Sequence, residues 1–171
     1  MPPALLIIAQ NGYQDVELDG TRKGLLEANF EVVLGSTKKG PCVGKFGGEE
    51  KATVAMKDVK VSDYDRIAFI GGPGAGNLWQ DNDAKRIAKD AADANMILGA
   101  ICIAPKILAA AEVLTGKKAT VWNEDGDQEG FLAMHDVHYT GETVTIDENI
   151  ITANGPKAAV EFGKKLAAMK R

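Results

Sequence analysis

The stretch "MILGAICIAPKILAAA" (Met96–Ala111) decides the fold, because an unbroken apolar run meets a helical pattern at a cysteine, Cys102. A short run that is apolar at every position reads as a strand covered on both faces, as in a parallel sheet. The residues that follow, Ala104–Glu112, read as a helix closed near "TGKK". The same alternation extends in both directions. Upstream, "ALLIIA" (Ala4–Ala9), Glu31–Leu34 and "RIAFI" (Arg66–Ile70) are further core strands. Val16, Leu18, Leu25, Leu26 and Phe30 recur near helical spacing, and a segment rich in Ala, Lys and Asp covers about 84–94. Residues 40–62 differ: Gly40-Pro41, Gly44 and Gly47-Gly48 punctuate short alternating pieces, which predicts a small antiparallel excursion. Downstream, Ala119–Trp122 reads as a strand and residues 123–135 are polar without a clear period. Val137–Tyr139, Thr143–Ile146 and Ile150–Thr152 alternate around turns, and Pro156 opens a last helix. Strands alternating with helices predict an α/β protein, a mostly parallel sheet with helices on both faces, in one domain over 1–171.

Composition narrows the function. The chain has 45% hydrophobic and 26% charged residues, an ordinary globular mix, and a net charge of −4. No Lys/Arg block could grip phosphates, so nucleic acid is not an expected partner. The basic end "KKLAAMKR" suits the last turns of a helix. No apolar run nears the ~20 residues that cross a bilayer, and "MPPALLIIAQNG" lacks the basic region and cleavage site of a secretory signal. Two cysteines, Cys42 and Cys102, make no disulfide framework and no C-x-x-C pair. The expectation is a cytoplasmic protein with reduced thiols, bound to no membrane, and with neither metal nor cofactor.

Ligands and reactive groups gather at the carboxyl ends of strands in such sheets. Cys102 stands there, at a strand-to-helix turn that pushes a side chain outward and is flanked by the small residues Gly99, Ala100 and Ala104. The following helix would aim its N-terminus at the sulfur, which predicts a thiol pKa lowered from about 8.5 to somewhere in roughly 3.5–7.5. The G-x-S-x-G spacing is not matched, and a lone cysteine in an apolar strand is equally a packing residue. "GGPGAGN" after the third core strand matches no phosphate loop, since Asn77 replaces both the last glycine of G-x-G-x-x-G and the lysine of a P-loop.

Four segments, in order, resemble the ThiJ/PfpI superfamily, which includes the Parkinson-disease-associated proteins and the intracellular protease I group. These are "YQDVEL" (Tyr13–Leu18), "FIGGPGAGNL", "AICIAPKILAAAEVLTGKKATVW" and "NIITANGPKAAVEFGKKL". The resemblance spans nearly the whole chain. It implies a flavodoxin-like three-layer sandwich with a cysteine elbow, and it implies self-association as a dimer or larger homo-oligomer. Residue by residue, it implies that Cys102 is the reactive cysteine and Glu17 its acidic partner. Gly72 and Ile103 would supply backbone N–H groups to an anion or oxyanion pocket. On composition alone Glu17 reads as a solvated helix charge.

The chain departs from the superfamily's catalytic pattern at its histidines. Protease-like members carry His directly after the cysteine, where this chain has Ile103. Others place one after the next strand, where this chain has Trp122, a candidate pocket wall. The two histidines, His135 and His138, lie in "AMHDVHY" and could serve only as a distant base, within the chain or from a partner. Two imidazoles make a poor metal site. Without a general acid for the leaving amine, a cysteine peptidase is disfavoured. Two classes stay open: a redox-responsive protective protein whose Cys102 oxidises, and a glyoxalase- or deglycase-type enzyme on methylglyoxal-like aldehydes. The partner is accordingly a small aldehyde or an oxidant. Cys42 lies in the glycine-rich excursion, as an inert thiol or one exposed near an interface.

Overall fold

The computed structural model describes all 171 residues. β1 (Ala4–Ile7) is buried along its length. Leu5 and Ile7 enter one core while Leu6 and Ile8 enter the other, as a continuous apolar run must in a strand of period two. β2 (Asn11–Tyr13) leads to α1 (Asp15–Glu27). Gln14 caps α1, its Oε1 accepting from the Val16 and Glu17 N–H groups. β3 (Val32–Ser36) returns to the sheet. β4 (Gly40–Gly44) and β5 (Glu49–Ala52) form an antiparallel hairpin, which with β2 makes a separate three-stranded sheet. The excursion expected over 40–62 is thus shorter: Val54–Ala55 join the main sheet in parallel, and Met56–Asp58 and Val61–Asp63 are 3₁₀ turns. β6 (Val54–Ala55), β7 (Arg66–Phe69), α2 (Asn82–Asp93), β8 (Ile97–Ile101) and α3 (Pro105–Ala110) follow.

β9 (Lys118–Ala119) pairs with β10 (His138–Tyr139) in a two-stranded sheet, so the strand expected over Ala119–Trp122 is shorter and lies outside the main sheet. α4 (Gln128–Met134) occupies the stretch without a period. Asn123, five residues before it, supplies the Oδ1 that accepts from the Gln128 and Glu129 N–H groups. β11 (Val144–Asp147), β12 (Ile150–Ala153) and α5 (Ala159–Ala168) complete the chain. Pro156 opens a single 3₁₀ turn ahead of α5 rather than the α-helix itself.

The main sheet runs β11-β12-β8-β7-β1-β3-β6, parallel except for β11. α1 and α5 cover one face, through Leu18, Leu25, Phe162 and Leu166. α2 and α3 cover the other, through Ile87, Ala88, Ile107 and Leu108. This is the three-layer, flavodoxin-like α/β arrangement. The helices α1 and α5 touch backbone to backbone: a Cβ on Gly20 would lie 2.8 Å from that of Ala159, and one on Gly24 would overlap Gly163. The contact fixes where α1 sits along its axis, and with it Glu17. No helix is long and apolar enough to cross a membrane.

Candidate functional site

Cys102 is the first residue beyond β8. Its N–H donates to Ala153 O (2.8 Å) and its carbonyl accepts from Trp122 N–H (2.9 Å), which pins the turn from both sides. Its φ is +66°, in the left-handed region. Five other non-glycine residues share that sign of φ: Asn29, Asn95, Glu112, Asp136 and Glu148. Four of these directly follow the last residue capping a helix and the fifth lies in the β11–β12 turn, where the conformation terminates an element. Cys102 terminates nothing by it. Held there at a cost of about 1–3 kcal/mol, the residue turns its side chain out of the strand direction and toward the ends of β1 and β7.

Glu17 approaches from the first turn of α1 and is 0% exposed. Its Oε1 accepts from Gly71 N–H at 3.0 Å. Its Oε2 is buried without a hydrogen bond of good geometry, and the Cys102 thiol is the side chain that interacts with the carboxyl. Burial pushes the carboxyl up to about 7, against the opposing pull of the thiol and the Gly71 N–H. Burial also pushes the Cys102 thiol up, the Glu17 charge and hydrogen bond push it further, and the backbone N–H groups of Ile103 and Gly72 lower it. The two groups titrate as a pair. While Glu17 is ionised the thiol keeps its proton; a proton on Glu17 removes the repulsion and leaves the two N–H groups to hold a thiolate.

That balance corrects the sequence expectation of a thiol acidified by a helix terminus. α3 begins three residues after the sulfur, is only 6 residues long, and opens on Pro105, which has no N–H to offer. The electrostatics belong instead to Glu17 and the loop after β7. The "GGPG" run is what lets that loop close in. A Cβ on Gly71 would lie 2.6 Å from the Cys102 Cβ and 2.7 Å from Glu17 Oε1, and Gly72 adopts φ +112°. A cavity of about 800 Å³ opens above the sulfur, and Gly72, Ile103 and Trp122 are among its walls.

Residues 3–169 match the DJ-1/PfpI family. The chain belongs to that family. An uncharacterized protein of Methanocaldococcus jannaschii is 34% identical over 93% of this chain and 78% of its own length. The ThiJ/PfpI domain protein of Brachyspira murdochii superposes with a TM-score of 0.91 at 27% identity, over 96% of this chain and 94% of that one. Drosophila melanogaster DJ-1beta superposes with a TM-score of 0.84 at 25% identity, over 98% and 89%.

Within this DJ-1/PfpI chain the sequence candidates separate by position. Cys102, Glu17, Gly72 and Ile103 come together, and Trp122 walls the cavity with its Nε1 donating to Glu124 Oε2 at 3.0 Å. The histidines do not join them. His138 is exposed on β10, and His135 stacks against Phe131 with ring centroids 4.8 Å apart; neither lines the cavity. Cys42 is buried on β4, not exposed. No group of three or more His, Cys, Asp or Glu side chains converges as a metal site. Sequence reasoning missed Gly71, whose signal was its place as the glycine after an apolar strand. It also missed Gln14, Lys45 and Lys157 in the cavity wall, which no local pattern marks.

Proposed function

We propose that this chain is a stress-protective DJ-1/PfpI protein whose Cys102 is an oxidation-sensitive thiol supported by Glu17. The observation that carries the reading is a fully buried carboxyl paired with a thiol at a left-handed elbow, under a cavity that no imidazole lines. With Glu17 protonated, loss of the thiol proton to solvent leaves a thiolate beside the Ile103 and Gly72 N–H groups. That thiolate attacks a peroxide oxygen: the S–O bond forms, the O–O bond breaks, and the leaving oxygen departs as water or alcohol after taking up a proton. The product is sulfenic acid, and a second equivalent of peroxide gives sulfinate. Protonated Glu17 then donates to a sulfinate oxygen, favouring that state. None of these steps needs a histidine, whereas peptide cleavage needs an acid for the departing amine.

The cavity favours a second reading, in which small aldehydes enter. Thiolate addition to the carbonyl would form a hemithioacetal, its alkoxide protonated by Glu17, as a glyoxalase- or deglycase-type cycle begins. One experiment separates the two. The wild type, Glu17→Ala and Cys102→Ala are exposed to mild peroxide and to methylglyoxal in parallel, with oxygen gain at Cys102 read by peptide mass spectrometry and lactate by chromatography. The redox reading expects sulfinate retained in the wild type, further oxidation in Glu17→Ala and no lactate. Lactate that vanishes with Cys102→Ala establishes the enzyme instead. Absence of both products removes both readings.

A further inference from the structure

The walls of the cavity over Cys102 bring together side-chain amides, hydroxyl groups and two lysines. Gln14 is only 6% exposed, and its Oε1 is taken by the Val16 and Glu17 N–H groups at 2.7 and 3.1 Å. Only its Nε2 remains for the cavity it lines. Asn123 repeats the pattern, with Oδ1 held by the Gln128 and Glu129 N–H groups at 2.8 and 3.2 Å and its amide nitrogen left over. Two lysines, Lys45 and Lys157, line the same cavity, and neither is paired with an acid. The one carboxylate in the wall, Glu124, has its Oε2 engaged by Trp122 Nε1. Two cations against one anion stand out in a protein of net charge −4.

Both lysine side chains are exposed, the Lys45 ammonium lying 5.3 Å from the Phe46 ring centroid, and their backbone is held in place. Lys45 N–H donates to Tyr13 O at 2.8 Å. The next residues are clamped by Asp15, whose Oδ1 and Oδ2 accept from the Phe46 and Gly48 N–H groups at 2.9 and 2.8 Å. Lys157 comes from the other side, on the short turn that follows β12. A ligand between them meets positive charge from two directions and amide donors from the floor. Its own charge must be negative, and small. One carboxyl, Glu17, lies buried below and another, Glu124, stands in the wall, so a monoanion suits the site better than a phosphate dianion.

We infer that the cavity over Cys102 is a carboxylate-binding site, so that the molecules brought to its sulfur are small organic acids in ionised form. This deepens the reading of Cys102 as a reactive thiol by naming its substrate class. The test has two arms. In the first, Cys102→Ser is titrated with pyruvate, acetone and inorganic phosphate, and the backbone amide resonances of Ile103 and Gly72 are followed. Saturable shifts with pyruvate alone are expected, weakened about tenfold by Lys45→Met with Lys157→Met and largely kept by the two arginine replacements. In the second, wild-type Cys102 is alkylated with iodoacetate and iodoacetamide, an S–C bond replacing C–I as iodide leaves and the thiol proton passes to solvent. The rate ratio of acid to amide is expected severalfold above that of glutathione, falling to the glutathione value in the double Met variant.

No saturation by pyruvate, or saturation by acetone equally well, overturns the inference, and saturation by phosphate alone replaces it with a phosphate site. A Cys102 inert to iodoacetamide sinks the reactive-thiol reading but leaves the pyruvate titration to decide this one. Alkylation of Cys102 with an acid-to-amide ratio equal to that of glutathione does the reverse.

Discussion

The two cysteines sit at similar depth and in opposite circumstances. Cys42 is 1% exposed and Cys102 is 9% exposed. Cys42 lies within β4, its sulfur contacted by Gln10 Nε2 at 3.6 Å and by Gly40 O at 3.8 Å. Those are the weak contacts of a small hydrophobe with a polar edge. Cys102 sits at φ +66°, against a buried carboxyl and two backbone donors, with a cavity above. The difference teaches that burial alone says little about a thiol. What distinguishes Cys102 is a backbone conformation that presents the sulfur, and a buried carboxyl beside it.

The contrast can be broken hardest at Gly71. Gly71→Ala puts a methyl into both Cys102 and Glu17, and peroxide labelling of Cys102 should fall by more than about tenfold. Labelling of Cys42 in the urea-unfolded chain serves as the internal standard; an unchanged Cys102 rate would mean that the pair is not the reactive unit. Next comes Glu17 itself. The folded carboxyl holds its proton up to about 7 while the unfolded one releases it near 4.5, so the folded state binds more protons in between. Stability should therefore fall as pH rises from about 4.5 to about 7, by up to ~3 kcal/mol, and level off above. Urea midpoints across that range should show the slope in the wild type and its loss in Glu17→Gln. The same variant should alkylate Cys102 at lower pH, because the amide has no charge to repel a thiolate, while Cys42 is unmoved.

A smaller effect is expected where α1 meets α5. Gly24→Ala should cost about 2 kcal/mol in thermal or urea unfolding and slow Cys102 chemistry by displacing Glu17. The smallest belongs to Cys42→Ala, about 1 kcal/mol of stability with the Cys102 pH profile intact. A change in that profile would show that the small sheet and the elbow are coupled, and the contrast between the cysteines would have to be redrawn.

The sequence shows the sheet because its strands are buried on both faces, and such runs as "ALLIIA" need no partner to be recognised. The elbow was legible for the same reason: Cys102 stands where an apolar run stops. What the sequence hides is whatever depends on distant residues. Glu17 looks like an ordinary helix charge until α5 and the β7 loop cover it. The stretch around Gln128 shows no period because its helix is capped by Asn123 from outside and buries only two side chains, Gln128 and Leu132. The acidity expected from α3 failed because a helix of 6 residues opening on proline has little field to give. The cavity lysines come from a hairpin and a turn more than a hundred residues apart, and only the fold brings them together.

The glycine contact between α1 and α5 also sets an order of events in time. α5 follows every strand of the sheet in the chain, so Cys102 and all its backbone partners leave the ribosome before the helix that seats α1 against them. Until residues 159–168 dock, Glu17 is held beside the sulfur only by the loop after β7. Residues 159–168 therefore emerge after the elbow, and their docking completes the packing that holds α1 in place.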